Sequence, residues 1–203
     1  AESDGLGAEL LCTVDAGQSL LLIGVGGTGK TYLAKEIIAH LKAAGQCVEV
    51  VALTHLAAQN IGGSAIHHFL HAHPSYGGWL VIDEVSFVPA NLWAQLARFV
   101  HSGAKFLVLG DFRGQFLPCF NMWHGSPVDT DVEESAFLRG LCCSRRFILT
   151  TNRRSDAELF EFYAPICRGG VLEHTPLAVL LAEAQRRFPA RGSDLEVDWH
   201  LCI

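Results

Sequence analysis

Five short apolar runs punctuate the chain, at residues 19–23, 48–54, 79–82, 106–109 and 147–151. Runs of this length bounded by turn residues predict strands, and their lack of polar alternation predicts burial on both faces. Between them the period lengthens to that of a helix. In 31–44, Leu33, Ile37, Ile38 and Leu41 fall on one stripe, and Gly45 stands where a helix stops. Residues 89–101 open on a proline suited to a first helical turn and repeat Leu92, Leu96 and Phe99. Ser155 followed by Glu158 has the spacing of a capping box, opening a helix through Leu159, Phe162, Tyr163 and Ile166 that ends at Gly169-Gly170. Thr175-Pro176 starts a further helix to about Phe188, a loop covers 189–193, and 195–203 alternates like a strand. Buried strands alternating with amphipathic helices predict an α/β, three-layer fold with a parallel β-sheet between helices.

Composition narrows this picture. At 203 residues the chain has room for one well-filled core. Half of it is hydrophobic, yet no apolar run approaches the roughly 18 residues that a membrane helix needs, so no membrane partner is expected. Residues 1–7 lack the basic start and apolar stretch of a secretory signal. Seven scattered cysteines, none in a C-x-x-C pair, suit reduced thiols in an intracellular setting better than a disulfide framework or zinc ribbon. A formal charge of −6 disfavours a stand-alone nucleic-acid binder, so any strand contact should be local or shared with other segments.

Three motifs carry chemistry. Gly24-Val25-Gly26-Gly27-Thr28-Gly29-Lys30-Thr31 fits G-x-x-x-x-G-K-T between a strand and a helix, the context of a phosphate-binding loop. Backbone N–H groups of Gly26, Gly27, Thr28, Gly29, Lys30 and Thr31 would surround phosphate at the positive end of the helix dipole. Lys30 would reach the β- and γ-phosphates, and the Thr31 hydroxyl would ligate magnesium. Trp79-Leu80-Val81-Ile82-Asp83-Glu84 is a buried strand ending in two carboxylates. Asp83 is the expected partner of magnesium and Glu84 the base acting on water. In Gly110-Asp111-Phe112-Arg113-Gly114-Gln115-Phe116-Leu117-Pro118, the Gln115 amide could bond both the γ-phosphate and the attacking water.

The order of these motifs, with Ala52-Leu53-Thr54-His55-Leu56-Ala57-Ala58, Gly62-Gly63-Ser64-Ala65-Ile66-His67, Asp83-Glu84-Val85-Ser86 and Thr151-Asn152-Arg153-Arg154, resembles the successive motifs of superfamily 1 helicases. The nearest flavour is the Pif-type and RecD-like branch, which moves 5′ to 3′ on DNA. The resemblance spans roughly residues 20–170. It implies a RecA-like P-loop NTPase domain over 1–170, with 171–203 leading toward a second RecA-like domain of the same parent chain. It implies ATP and Mg2+ as cofactors and single-stranded DNA, favoured over RNA, as partner. It puts Thr54, His55, Ser64 and His67 at positions that touch the strand and Arg153 at the position of a γ-phosphate arginine. Two departures stand out: no clear adenine-reading glutamine precedes the phosphate loop, and the connection from His67 to Asp83 is short.

Alternatives stay open on the residues themselves. Thr54 and Ser64 equally suit helix caps. His67, His68, His71 and His73 include an H-x-x-x-H pair, but no cysteine or acidic pair stands near them, so surface or hydrogen-bonding roles are expected in place of a metal. An RNA helicase of the viral superfamily 1 type, or a nucleotide-gated binding module without turnover, shares the same layout. The second requires a damaged Lys30, Asp83 or Glu84, and all three are intact.

Overall fold

The computed structural model describes residues 2–112, 121–123, 126–127, 132–167 and 175–189. Six strands form one sheet: β1 (Leu20–Gly24), β2 (Val48–Ala52), β3 (Ser64–Ala65), β4 (Trp79–Asp83), β5 (Lys105–Gly110) and, after a short antiparallel pair β6 (Met122–Trp123) and β7 (Ser126–Pro127), β8 (Arg146–Leu149). The order across the main sheet is β3-β2-β4-β5-β1-β8, and every pairing in it is parallel. The helices are α1 (Glu2–Asp15), α2 (Lys30–Ala43), α3 (His55–Ile61), α4 (Ile66–Ala72), α5 (Ala90–Ala97), α6 (Ala136–Leu141), α7 (Ala157–Cys167) and α8 (Leu177–Arg187). This is the three-layer α/β arrangement expected from the apolar pattern.

The continuous apolar runs are explained by a core on each side of the sheet. Successive side chains of a strand point to opposite faces. Leu21, Ile23, Leu80, Ile82, Phe106 and Val108 join one cluster with Ile66 and Phe69 of α4, Leu92, Trp93 and Leu96 of α5, and Leu138 and Leu141 of α6. Their neighbours Leu20, Leu22, Trp79, Val81, Leu107 and Leu109 join the other, with Leu10 and Val14 of α1 and Ala34, Ile37, Ile38 and Leu41 of α2. Each fully buried large side chain contributes on the order of 1.5–3 kcal/mol, so a polar residue on either face of the central strands would be costly.

The structure shifts several element boundaries. The expected helix over 89–101 is α-helical only to Ala97 and tightens into a 3-10 turn over Arg98–Ser102. Ser155 does not cap α7: the Leu159 N–H donates to Asp156 Oδ1 at 2.8 Å, and the Ser155 hydroxyl is bonded to Tyr163 at 3.1 Å. The strand expected at 147–151 occupies Arg146–Leu149. Helix α1 was not anticipated, although Leu6, Leu10 and Val14 share its packed face. The strand expected at 195–203 lies outside the described residues. Among the described residues no helix is long and apolar enough to cross a membrane.

Phe106 is fully buried in β5, at the centre of the sheet. Phe106→Ala is expected to lower the unfolding free energy by about 3–5 kcal/mol in denaturant titration; a loss below about 1 kcal/mol would contradict this description of the core.

Candidate active site

Parallel pairing brings the carboxyl ends of the strands to one edge. Ile23 lies opposite Gly110 and Gly24 opposite Leu149, while Ala52 lies opposite Asp83. Loops leaving β1, β4, β5 and β8 therefore meet above β5, where strand ends of an open α/β sheet form a crevice. The phosphate-loop pattern and the acidic strand end are not neighbours in the sheet, because β5 runs between them. A cavity of about 420 Å³ opens there. Gly26, Gly27, Gly29, Lys30, Thr31 and Tyr32 line one wall. Asp83, Glu84, Gly110, Arg153 and Arg154 complete the lining, the two arginines lying close against Gly29 and Gly27 of the phosphate loop.

The loop after β1 is held by its own atoms and by distant ones. Thr28, buried, donates its hydroxyl to the Val25 carbonyl at 2.8 Å and its backbone N–H to the same carbonyl at 3.3 Å, so it shapes the loop from within. Gly29 sits at φ 92°, the left-handed conformation in which a side chain is strained, and α2 starts directly after it. The Gly26 N–H donates to Asp111 Oδ2 at 2.9 Å. On the other flank the Tyr163 hydroxyl donates to the Gly26 carbonyl at 3.0 Å, and the Arg153 N–H donates to the Gly27 carbonyl at 2.9 Å. Lys30 Nζ lies 2.6 Å from the Gly24 carbonyl and 3.2 Å from that of Val25.

Burial shifts the titratable groups that line the cavity. Burial pushes the Lys30 ammonium below its ordinary pKa, and nearby Arg154 adds to this against the opposing pull of Asp111, Asp83 and Glu84. Burial likewise raises Asp83, partly offset by the Glu84 N–H that donates to its Oδ1 at 2.8 Å and by the charge of Lys30. Glu84 is raised by burial and then by the Asp83 charge beside it. Glu84 also adopts φ 52°, a left-handed conformation unusual for a residue with a side chain, as β4 turns into the 3-10 turn Val85–Phe87. The donor set suits magnesium. Thr31 and Asp83 offer hard oxygen ligands on one cavity, and a small protein contribution is what an ion sharing phosphate oxygens requires.

Of the residues singled out by sequence, Lys30, Thr31, Asp83, Glu84 and Arg153 stand on this cavity. Gln115 lies outside the described residues. Thr54, His55, Ser64 and His67 do not line this cavity. The register of β2 with β3, Val51 opposite Ser64, brings the ends of both strands together at the same sheet edge. The Thr54 side chain accepts the Ala57 N–H at 3.2 Å and so caps α3, whereas Ser64 lies in β3 and caps nothing. His67, His68 and His71 are exposed, His73 stacks on Phe69, and among the described residues no cluster of histidine, cysteine and acid could hold a metal. Sequence reasoning passed over Arg154, Asp111 and Tyr163. Arg154 and Asp111 were within quoted motifs, while nothing local marked Tyr163.

A testable consequence concerns Asp83. Its raised pKa means that the folded state holds a proton more readily than the unfolded chain, so the charged carboxylate costs stability above the folded pKa. That cost fades as pH falls through the folded pKa toward the unfolded value of about 4. Asp83→Asn, which can still accept the Glu84 N–H, is expected to raise the melting temperature of the nucleotide-free protein at about pH 8, with the gain vanishing near about pH 4. A lower melting temperature for the variant at the higher pH would contradict the sign.

Comparison with known proteins agrees with this geometry. A family model described as an AAA domain matches residues 9–115. Human "ATP-dependent DNA helicase PIF1" is 35% identical over 135 residues, covering 52% of this chain. The chain spans only about a fifth of that relative, 21% of its length. The crystal structure of Pif1 helicase from Candida albicans superposes with a TM-score of 0.59 at 24% identity, covering 77% of this chain and 42% of that one. Pif1 helicase from Bacteroides in complex with ADP-AlF3 and ssDNA superposes at 0.57 with 17% identity, covering 80% and 45%. Both likenesses show a shared fold. With the phosphate-loop pattern in its strand-to-helix setting, the match over more than half of the chain places it in the AAA domain family.

Proposed function

We propose that this chain is the ATP-hydrolysing core of a helicase that moves on single-stranded DNA. One observation carries the proposal: Lys30, Thr31, Asp83, Glu84 and two arginines converge on one cavity at the end of a phosphate-binding loop. The relatives' name, ATP-dependent DNA helicase, and the neighbour solved with ADP-AlF3 and single-stranded DNA support the same reading and favour DNA over RNA.

In this proposal the amides from Gly26 to Thr31 face a triphosphate, apart from the Gly26 N–H given to Asp111 and the Thr28 N–H given to the Val25 carbonyl. Lys30 leaves the Gly24 and Val25 carbonyls to meet the β- and γ-oxygens. Its depressed pKa marks an ammonium short of solvation, which phosphate oxygens would supply. Thr31 and Asp83 would hold Mg2+, which when bound neutralises charge on the phosphates. Glu84, on the cavity and with its pKa raised by burial and by the Asp83 charge, is suited to take a proton from the attacking water. Arg153 and Arg154 would stabilise charge on the transferred phosphoryl group. Gln115 would sense the γ-phosphate.

The strand would pass along Thr54, His55, Ser64 and His67, at the ends of β2 and β3. This face is rich in hydroxyl and imidazole groups, able to donate to phosphates and stack on bases. With a formal charge of −6, the chain needs further contacts from elsewhere. Residues 171–203 would lead to a second RecA-like domain supplying them, and closure of the two lobes would turn phosphate state into motion. The free thiols Cys12, Cys47, Cys142 and Cys143 suit an intracellular site of action.

Phosphate release by the full-length protein, with and without single-stranded DNA or RNA, tests the proposal. Hydrolysis should rise with DNA, Glu84→Gln should lower kcat by about 10²–10⁴ while retaining nucleotide affinity, and Lys30→Ala should abolish binding. Equal background for the parent and Glu84→Gln would mean a binding module without turnover, and stimulation by RNA alone would mean an RNA motor.

A further inference from the structure

The Gly26 residue has both of its backbone polar groups captured by side chains far away in sequence. Asp111, just after β5, accepts its N–H, and Tyr163, in α7, donates to its carbonyl. These contacts span 85 and 137 residues of sequence. Neither side chain belongs to the phosphate-loop pattern, and Tyr163 belongs to none of the motifs.

The proton inventory fixes the direction of the Tyr163 contact. A phenol has one proton, and it goes to the Gly26 carbonyl at 3.0 Å. The Ser155 hydroxyl, 3.1 Å from the same oxygen, must therefore donate to Tyr163. Ser155 is itself fixed by Asn152, whose Oδ1 accepts the N–H groups of Arg154 at 3.1 Å and Ser155 at 3.0 Å. A single chain of hydrogen bonds thus runs from the Arg153-Arg154 turn through Ser155 and Tyr163 to the phosphate loop. The approach is close, since a Cβ on Gly27 would stand 3.2 Å from Arg154 Cβ and 3.5 Å from the Tyr163 hydroxyl.

The peptide geometry gives this chain a consequence. In a trans peptide the carbonyl of one residue and the N–H of the next point opposite ways. Holding the Gly26 carbonyl on Tyr163 therefore turns the Gly27 N–H away from α7. We propose that Tyr163, oriented by Ser155, is a positioning residue that presets the Gly26–Gly27 peptide so that the Gly27 N–H faces the nucleotide phosphates. The inference rests on the nucleotide-binding reading above. Tyr163 does not touch the reacting atoms. Its effect is on how well the phosphates are received before chemistry, so it should act equally on the diphosphate and triphosphate states.

Tyr163→Phe keeps the ring and removes the hydroxyl. In the full-length protein it is expected to raise the dissociation constant for magnesium–ADP and the KM for ATP together, each by about fivefold, the scale of one neutral hydrogen bond. The change in kcat should stay within about twofold. Ser155→Ala should give a smaller shift of the same kind, and the double variant should be no worse than Tyr163→Phe alone, because both act through one hydroxyl. A fall in kcat with ADP affinity unchanged, additive effects of the two substitutions, or unchanged KM and ADP affinity would each overturn the assignment. Melting temperature and the fraction of protein able to bind at saturating nucleotide separate this from loss of folding: a lower binding-competent fraction with unaltered affinity would also overturn it. If the parent protein binds no ADP, the nucleotide-binding reading fails. If it binds and Tyr163→Phe binds equally well, only the positioning role fails.

Discussion

The constraint on which the rest depends is the parallel alignment of the strands. Only when β1, β4, β5 and β8 all run the same way do Gly24, Asp83, Gly110 and Leu149 end at one edge. The two-sided core enforces that alignment, because every central strand has apolar residues for both faces and connecting helices must cover both. β5 matters doubly. It separates the strand carrying the phosphate loop from the strand carrying the carboxylates, which opens a crevice between their loops, and its own exit residue Asp111 reaches back to the phosphate loop.

Charged groups at that edge are held with a burial cost. Lys30 is depressed and Asp83 and Glu84 are raised, each chiefly by burial. Groups that folding alone would keep in water are held together in a cavity, next to a residue with strained backbone at Glu84. Such a cost is carried by a fold where function demands it, and a polyanion with a divalent cation would relieve both signs of charge. The loop receiving it is braced from the β5 side by Asp111 and from the α7 side by Tyr163 and Arg153, so three non-consecutive segments determine its shape.

Much of this was legible in the order of residues. The apolar runs foretold the buried parallel strands because burial on two faces leaves no polar alternation, and G-x-x-x-x-G-K-T between a strand and a helix foretold the cavity wall. Other features were hidden for physical reasons. Helix α1 follows a loose spacing of leucines that becomes a stripe only when packed on α2. The Ser155-to-Glu158 spacing imitates a capping box, but Asp156 takes the capping role while Ser155 serves Tyr163, a partner in the next turns of α7. Arg153 and Arg154 are adjacent and chemically alike, and only the folded structure shows that both line the cavity, against Gly29 and Gly27. The Tyr163 contact joins residues 137 apart, beyond any local pattern.

The central claim is that a nucleoside triphosphate and its metal occupy the cavity between the phosphate loop and Asp83. A crystal structure of the protein soaked or grown with magnesium and a non-hydrolysable ATP analogue tests it most directly. The account predicts phosphates along the amides of Gly27 to Thr31, Lys30 swung from the Gly24 carbonyl onto phosphate oxygen, and a metal between the Thr31 hydroxyl and Asp83. Analogue bound elsewhere, or a cavity that stays empty with Lys30 still on the Gly24 carbonyl at saturating analogue, would contradict it.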